Sequence, residues 1–351
     1  MASPSASAKT VVFKTFRNTD GSDTDIAADV YLPSGGELGT PLLPVFWVHT
    51  GGLLQGTRKF IPPHLVRGVD KHRVALIAPD FRLCPQVTIS EVLDDVRDCI
   101  NFFLDADKLA QHLGAAANDV DTARYVLGGS SAGGWISLLL GLSLVEQADS
   151  LRTKASSVFS IYPITTLERD MAPFYYQAQR PVSWSVDGKP IDGRQLEEQG
   201  CLTRCHPGSD DGKQALIKTE APPAADPVRA QMYNYARQEG NFASLVLGSP
   251  DDVERFSVPH LIRRRWAGAR EQGGGERVAV MVVYGDGDAK VPHSQSEHVI
   301  DALEEVGYRR GADLEVEVKQ GGDHLYDMEE QEEVPGLWPF IILPRRRGVQ
   351  Q

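Results

Sequence analysis

Short apolar runs recur along the chain, and polar or glycine-rich segments separate them. The runs Pro44–Val48 and Val74–Ala78 are continuous, which is typical of strands buried on both faces of a parallel sheet. Helical periodicity follows at about Val92–Leu104 and again at about Ser294–Val306. This alternation predicts an α/β fold, with a mostly parallel central sheet and helices on both faces. The other predicted strands are Thr10–Phe16, Ile26–Leu32, Ala123–Leu127, Ser157–Tyr162, Val278–Tyr284 and Leu314–Val318.

The alternation is interrupted between about residues 173 and 265, where Pro, Gly, Asp and Gln are frequent. Connections of this length usually form lids or binding elements. We therefore predict a cap over residues 173–265, inserted into a core made of residues 10–172 and 266–334. Residues 1–9 are small and polar, and we predict a disordered tail there.

The last segment, residues 335–351, is predicted to be a C-terminal extension. Its run Leu337–Pro344 is more apolar than an ordinary tail and is too short to span a membrane. The run is expected either to pack on the core or to form the contact of a homodimer.

The chain has 351 residues and a formal net charge of −12. Such a balance repels nucleic acid and anionic membrane surfaces, so neither is expected as a partner. Residues 1–9 lack the apolar segment of a secretory signal, and we expect a cytoplasmic location. Cys201, Cys205 and His206 lie close together, but no second ligand pair with suitable spacing follows. We therefore predict loop thiols, with no metal and no cofactor.

Ser131 lies in the segment Gly129–Gly133, which has the G-x-S-x-G pattern of a nucleophile elbow. The predicted strand Ala123–Leu127 precedes the pattern, and the apolar segment Gly134–Leu140 that follows has the character of a buried helix. A sharp turn from strand to helix exposes the hydroxyl of such a serine. This context predicts that Ser131 is a nucleophile.

A serine hydroxyl needs a base within hydrogen-bond reach and a carboxylate that orients the base. Asp288 follows the strand Val278–Tyr284 and lies at the carboxyl end of the sheet, which makes it the preferred acid. Asp286, which has the character of a turn residue, is the alternative acid. His324 follows the last predicted strand and is the preferred base, whereas His293, beside the acid loop, is the alternative base.

The loop His49–Gly52 follows the strand that contains Trp47. The N–H groups of Gly51 and Gly52, together with that of Ala132, are predicted to form the oxyanion hole. Glycine allows the backbone to approach a substrate closely. His49 itself is predicted to be a structural residue of the loop.

The predicted cap is rich in aromatic side chains, which either form a small core of the cap or, as a group, contact a bulky apolar or aromatic substrate. Tyr175, Tyr176 and Tyr233 are candidate substrate-binding residues. Trp135, next to the elbow, either lines the floor of the pocket or packs under the helix. The aromatic residues of the cap are Phe174, Tyr175, Tyr176, Trp184, Tyr233, Tyr235 and Phe242.

Three segments resemble motifs of the hormone-sensitive-lipase-like esterase group of α/β-hydrolases. His49–Gly56 resembles the HGGG oxyanion motif of this group, and Asp80–Pro85 resembles its D-Y-R-L-A-P motif, which braces the site from beneath. Gly129–Gly134 resembles its G-D-S-A-G-G elbow. Asp288 and His324 fall where the two other members of the family's triad should lie, in the order that this fold requires.

The resemblance covers about residues 24–328 and implies an α/β-hydrolase fold with an inserted cap. Thr50 replaces the first glycine of the oxyanion motif, and Ser130 replaces the aspartate before the nucleophile. Caps of this group are usually built mainly from the N-terminus, whereas the predicted cap of this chain is a late insertion. In overall style the chain is also similar to fungal hydrolases that tailor polyketide or peptide natural products.

The resemblance implies a serine hydrolase that uses no cofactor and cleaves a carboxylic ester, with a bulky apolar or aromatic small molecule as substrate. Ser131 attacks the carbonyl, His324 transfers the proton, and Asp288 orients His324. An alternative is that the same residues carry out lactonisation, acyl transfer or cyclisation in natural-product biosynthesis. A further alternative is a non-catalytic ligand receptor, which the presence of His324 disfavours.

Overall fold

The computed structural model describes residues 8–18, 21–34, 41–114, 119–185, 188–203, 228–267 and 277–343. The strands within these residues are β1 Ala8–Arg17, β2 Asp23–Tyr31, β3 Leu43–Val48, β4 Val74–Pro79, β5 Val126–Ser130, β6 Ser157–Ile161, β7 Ala279–Gly285 and β8 Leu314–Lys319. These described strands form one sheet in the order β1-β2-β4-β3-β5-β6-β7-β8. Only β2 pairs antiparallel with its neighbours, β1 and β4, and the other pairs are parallel. The prediction of a mostly parallel sheet is thus confirmed.

Strand β5 differs from the predicted strand Ala123–Leu127, because it begins at Val126 and continues to Ser130. Gly128 pairs in parallel register with Trp47 on one side and with Phe159 on the other. A Cβ atom on Gly128 would lie 2.0 Å from Cζ of Phe159, so the glycine makes room for an aromatic ring. The pattern ended the strand too early because glycine is usually a turn signal.

Strand β1 also begins earlier than predicted, at Ala8, within the segment that the pattern predicts as a tail. Ala8 pairs with Tyr31 and Lys9 pairs with Val30 of β2. Backbone pairing with a neighbouring strand, rather than an apolar pattern, therefore orders these two residues.

Helices cover both faces of the sheet, as predicted. On one face α1 (Pro63–His72) and α11 (Leu337–Ile342) bury apolar side chains against Trp47 and Phe159. The pattern did not predict α1, or α3 (Ala106–Leu113), because both are short and largely polar. The other face is covered by α2 (Ile89–Phe103), α4 (Ala132–Gly141), α9 (Val258–Arg265) and α10 (Ser294–Glu305).

The C-terminal extension packs on the core through α11. A Cβ atom on Gly68 of α1 would lie 1.7 Å from Cζ2 of Trp338, so the indole fits directly against the backbone of α1. The ring of His72 stacks on the same indole with 4.5 Å between centroids. The first of the two predicted alternatives, packing on the core, therefore describes these residues, although Leu343 remains 60% exposed.

The region predicted as a cap contains several short elements in its described part. The side chains of Tyr175 and Tyr233 pack on Phe242, with 5.0 and 5.4 Å between ring centroids. Helix α9 also falls within the predicted cap, but it packs along α10 and α4. The further elements are a 3-10 turn Pro173–Tyr176 and the helices α5 Gly193–Glu198, α6 Met232–Glu239, α7 Phe242–Val246 and α8 Asp252–Arg255.

Two further expectations from the sequence concern the cysteines of the cap and the possibility of a membrane span. Cys201 is buried, while Cys205 and His206 lie outside the described residues. Of the helices that the structure describes, none has both the length and the apolar character needed to cross a bilayer.

Candidate active site

Ser131 lies at the junction of β5 and α4. Its backbone angles, φ 53° and ψ −118°, fall in a region that is strained for a residue with a Cβ atom. Two backbone hydrogen bonds hold this turn: the Ser131 N–H donates to the carbonyl of Ile161 at 2.9 Å, and its carbonyl accepts from the N–H of Ile164 at 3.1 Å. The strand β6 thus fixes the turn, and Ser131 itself is 2% exposed.

Gly133 brings the turn into contact with the end of β3. A Cβ atom on Gly133 would lie 2.0 Å from the carbonyl oxygen of Val48 and 2.6 Å from that of His49. No side chain fits at these distances, so the backbones of α4 and the His49 loop can approach only because residue 133 is glycine. The predicted nucleophile and the predicted oxyanion loop are therefore neighbours.

His324 and Asp288 form a hydrogen-bonded pair, with 2.7 Å between Nδ1 of the imidazole and Oδ2 of the carboxylate. The other carboxylate oxygen accepts the N–H groups of Lys290 at 2.8 Å and Val291 at 2.9 Å. The two side chains are only 5% and 2% exposed. When Nδ1–H donates to a carboxylate, the neutral imidazole has its basic lone pair on Nε2, which is the form that a general base requires.

The alternative acid and base occupy different settings. Asp286 is exposed and accepts a hydrogen bond from the N–H of Gly321, so it closes the turn between the two loops. His293 precedes α10, and its side chain is 50% exposed with Nε2 3.9 Å from Glu297. Neither residue contacts the pair formed by Asp288 and His324 in the hydrogen bonds of the described chain.

Asp323 joins the two loops, a role that the sequence analysis did not predict. Its Oδ1 accepts the N–H of Ala289 at 3.1 Å and that of His324 at 2.7 Å. Burial opposes ionisation, but these backbone donors hold the pKa of Asp323 below its usual value. A carboxylate directly before the histidine in the sequence was the only available signal.

Tyr162 was also missed, although it directly follows β6 at the carboxyl end of the sheet. Its ring lies 4.6 Å from that of His324, measured between centroids. Its hydroxyl donates to the fully buried carboxylate of Asp327, which lies 3.6 Å from Nε2 of His64. Burial and the nearby Asp327 raise the pKa of Tyr162 well above its usual value. Tyr162 therefore stays neutral and supports the imidazole from the side.

The predicted oxyanion loop has the backbone conformation of a tight turn. Gly51 has φ 124° and Gly52 has φ 66°, and the carbonyl of Gly51 accepts the N–H groups of Leu54 and Gln55, both at 3.1 Å. No acceptor for the N–H groups of the two glycines is found among the described residues. Ala132 is the first residue of α4, so its N–H also lacks an acceptor within the helix.

The oxyanion loop rests on buried residues beneath it. The ring of His49 stacks on Phe81 at 4.2 Å, and burial lowers the pKa of His49. The N–H of Cys84 donates to the carbonyl of Leu53 at 2.8 Å, which ties the segment Asp80–Pro85 to the oxyanion loop. His49 thus has a packing role. In the described segments, no three His, Cys, Asp or Glu side chains lie together as a group that could hold a metal ion.

The predicted substrate-binding residues lie in two settings. Trp135 is fully buried, and its Nε1 donates to the carbonyl of Phe256 at 2.7 Å, which favours packing under the helix. The hydroxyl of Tyr176 donates to the carbonyl of Leu167 at 2.5 Å. Tyr233 and Tyr175 come closer to the predicted site: a Cβ atom on Gly52 would lie 2.6 Å from Cδ2 of Tyr233.

Comparison with known proteins agrees with this architecture. A family model described as alpha/beta hydrolase fold matches residues 45–186. An alpha/beta hydrolase superfamily protein from Enterococcus faecalis has a similar structure, with a TM-score of 0.57 at 16% identity, over 93% of this chain and 95% of that one. The fold and the resemblance predicted from the motifs are therefore confirmed.

Two relatives of named activity are also similar. The chain is 24% identical over 354 residues to non-reducing polyketide synthase Preu6 of Preussia isomera, across 98% of this chain and 15% of the synthase. The chain thus spans about one-seventh of the length of that relative. It is also 28% identical over 141 residues to arylacetamide deacetylase of Oryctolagus cuniculus, which covers 39% of this chain and 34% of the deacetylase.

Proposed function

We propose that this protein, which has the α/β-hydrolase fold, is a serine hydrolase that cleaves a carboxylic ester through an acyl-enzyme. The observation that carries the proposal is the 2.7 Å hydrogen bond between His324 and Asp288, on loops at the carboxyl end of the sheet that also bears Ser131. No cofactor takes part in this mechanism.

In the first step His324 Nε2 accepts the hydroxyl proton of Ser131 while the Ser131 oxygen attacks the ester carbonyl. The N–H groups of Gly51, Gly52 and Ala132 donate to the oxyanion that forms. His324 then returns the proton to the departing alkoxide. Water, deprotonated by the same imidazole, then attacks the acyl carbonyl; the bond to the Ser131 oxygen breaks, the acid leaves, and the imidazolium returns the proton to Ser131. Asp288 stabilises the imidazolium in both halves of the reaction.

A bulky apolar or aromatic substrate is part of the proposal. Phe174, Tyr175, Tyr233 and Phe242 form an aromatic cluster that contacts the oxyanion loop at Gly52. The name of the arylacetamide deacetylase points to substrates with an aromatic group, and that of the polyketide synthase points to polyketides.

Lactonisation, acyl transfer or cyclisation by the same residues is the alternative. One observation favours it: Ser131 is 2% exposed, so bulk water has little access to an acyl group on its oxygen. A substrate hydroxyl held beside the acyl-enzyme would then replace water as the nucleophile.

Product analysis with aryl esters, alkyl esters and lactones tests both possibilities. Hydrolysis is expected to release one acid and one alcohol or phenol from each ester, and one hydroxy acid from each lactone, with ¹⁸O from labelled water in the carboxyl group. A cyclic or transferred product without ¹⁸O would favour the alternative. If no panel member reacts and a fluorophosphonate does not label Ser131, the proposal of a serine hydrolase is wrong.

A further inference from the structure

The guanidinium of Arg237, in the last turn of α6, is buried without an ionic partner in the described chain. The residue is 1% exposed, and its Nε and Nη1 atoms have no hydrogen-bond partner among the described residues. The adjacent acid, Glu239, is instead engaged by Arg180 and Gln238. An arginine stays charged at physiological pH, so a buried positive charge remains here without a counter-ion from these residues.

Aromatic rings surround this charge. The Arg237 guanidinium carbon lies 3.5 Å from the centroid of Phe174 and 5.4 Å from that of Tyr175. Stacking uses the flat face of a guanidinium and leaves its in-plane N–H groups available for a planar acceptor. The hydroxyl of Tyr175 is also buried; it lies near the hydroxyl of Tyr233 but makes no hydrogen bond of acceptable geometry with a described residue. Three unsatisfied polar atoms, Nε and Nη1 of Arg237 and the Tyr175 oxygen, therefore belong to one cluster.

Leaving such groups unpaired is unfavourable, because burial removes the water that would otherwise solvate them. Burial lowers the pKa of Arg237, and Tyr233 and Tyr175 only partly oppose this effect. A carboxylate would satisfy the in-plane donors of a guanidinium in the bidentate geometry that such pairs prefer.

The cluster adjoins the predicted oxyanion loop. Tyr233 lies four residues before Arg237, so both side chains lie on the same side of α6, about one turn or ~6 Å apart along the axis. Tyr233 contacts Gly52, and its hydroxyl donates to the carbonyl of Lys290 in the acid loop at 2.8 Å. A ligand bound at Arg237 would thus adjoin the loop that is predicted to hold the oxyanion.

We propose that Arg237 and Tyr175 form an anion-binding subsite, which selects aromatic esters that carry a carboxylate. The inference rests on the proposed esterase function and adds that the substrate carries a negative charge. The guanidinium and the phenol hydroxyl bind the carboxylate, the rings of Phe174 and Phe242 contact the aromatic part, and the ester carbonyl extends toward Gly52 and Ser131.

Two matched esters test the subsite: 4-acetoxybenzoate, which carries a carboxylate, and 4-acetoxybenzamide, which has the same shape without the charge. We expect wild-type kcat/KM to favour the carboxylate by about 10- to 100-fold, as for a hydrogen bond to a charged group. In Arg237→Met the ratio of the two kcat/KM values should fall to near 1, and Arg237→Lys should retain part of it. Arg194→Met, at an exposed cap arginine paired with Asp192, should keep the wild-type ratio.

Binding of the products separates this inference from the esterase proposal. We expect 4-hydroxybenzoate to raise the melting temperature of Ser131→Ala more than 4-hydroxybenzamide does, and this difference should be lost in the double variant with Arg237→Met. Preferential binding of the carboxylate, with no turnover of any ester and no fluorophosphonate labelling of the wild type, would support the subsite and refute the esterase. Turnover of both esters with a wild-type ratio near 1, and equal binding of both products, would refute the subsite and leave the esterase standing. If Arg237→Met does not fold, the kcat/KM ratio of the two esters in the wild type and in Arg237→Lys decides instead. A wild-type ratio near 1 then refutes the subsite, and a high ratio that falls in Arg237→Lys supports it.

Discussion

The two sides of the candidate active site differ in how their polar groups are satisfied. On the sheet side, Asp288 accepts two backbone N–H groups and faces His324, and Asp323 ties the same two loops together. On the cap side, polar atoms of Arg237 and Tyr175 are buried without partners among the described residues. The sheet side is therefore held in place without a ligand, whereas we propose that a ligand completes the cap side.

This difference predicts two classes of variant. Substitutions on the sheet side should lower kcat for every ester, because they act on the reacting groups or on their orientation. Substitutions on the cap side should change KM and the choice between esters.

Ser131→Ala should have the largest effect. It removes the proposed nucleophile, and the loss in kcat should approach ~10⁶-fold, as for loss of a nucleophile in a triad. Labelling by a fluorophosphonate should disappear while the melting temperature stays close to that of the wild type. Labelling that persists in a pure sample of this variant would exclude Ser131 as the nucleophile.

His324→Ala should lower kcat nearly as much, because the members of a triad act as a unit. His293→Ala is the matched control, since the side chain of His293 is half-exposed and lies near Glu297 and the ring of Tyr284. We expect less than about a threefold change for the control, which is in the range of a surface substitution. Reversal of the two results would show that His293 is the base. The measurement is kcat on one aryl ester with both purified variants.

Asp288→Asn should lower kcat by about 10⁴-fold, because an amide favours the wrong tautomer of His324. Asp286→Asn should cost far less, since Asp286 is exposed and its carboxylate accepts the N–H of Gly321 rather than facing His324. Both variants should be compared at equal folded fraction, measured by thermal melting. A larger loss in Asp286→Asn would transfer the acid role to Asp286, and small losses in both would mean that neither carboxylate orients the base.

The two sides also differ in how well the sequence predicted them. The elbow, the oxyanion loop and the acid and base loops carry glycines and polar residues at strand ends, and a parallel sheet brings such ends together. Asp288 and His324 were expected to meet on this basis, and they lie 2.7 Å apart. The predicted strand Ala123–Leu127 begins three residues before β5 and also ends too early, because the glycines of β5 serve packing instead of a turn.

Tyr162 and Arg237 were missed for a different physical reason. The contact between Tyr162 and His324 depends on how two loops fold over the sheet, which hydrophobic periodicity does not encode. Arg237 lies in a helix of polar composition, and arginine is usually exposed, so its burial was unexpected. The positions of both side chains are set by tertiary packing rather than by a motif.

Tyr233→Phe tests the boundary between the two sides and should have the smallest effect. The Tyr233 hydroxyl donates to Lys290, whereas its ring contacts Gly52, so this residue joins the cap to both site loops. Asp288 keeps its two backbone hydrogen bonds without that hydroxyl, and loss of one neutral hydrogen bond is worth about 2- to 10-fold. We expect this loss in KM for aromatic esters, with kcat changed by less than about twofold. Tyr235→Phe, on the same helix and packed against Gly193, is the control. A fall in kcat that exceeds the effect of Asp286→Asn would mean that the cap orients the acid loop. The division into a sheet side that acts on kcat and a cap side that acts on KM would then be wrong.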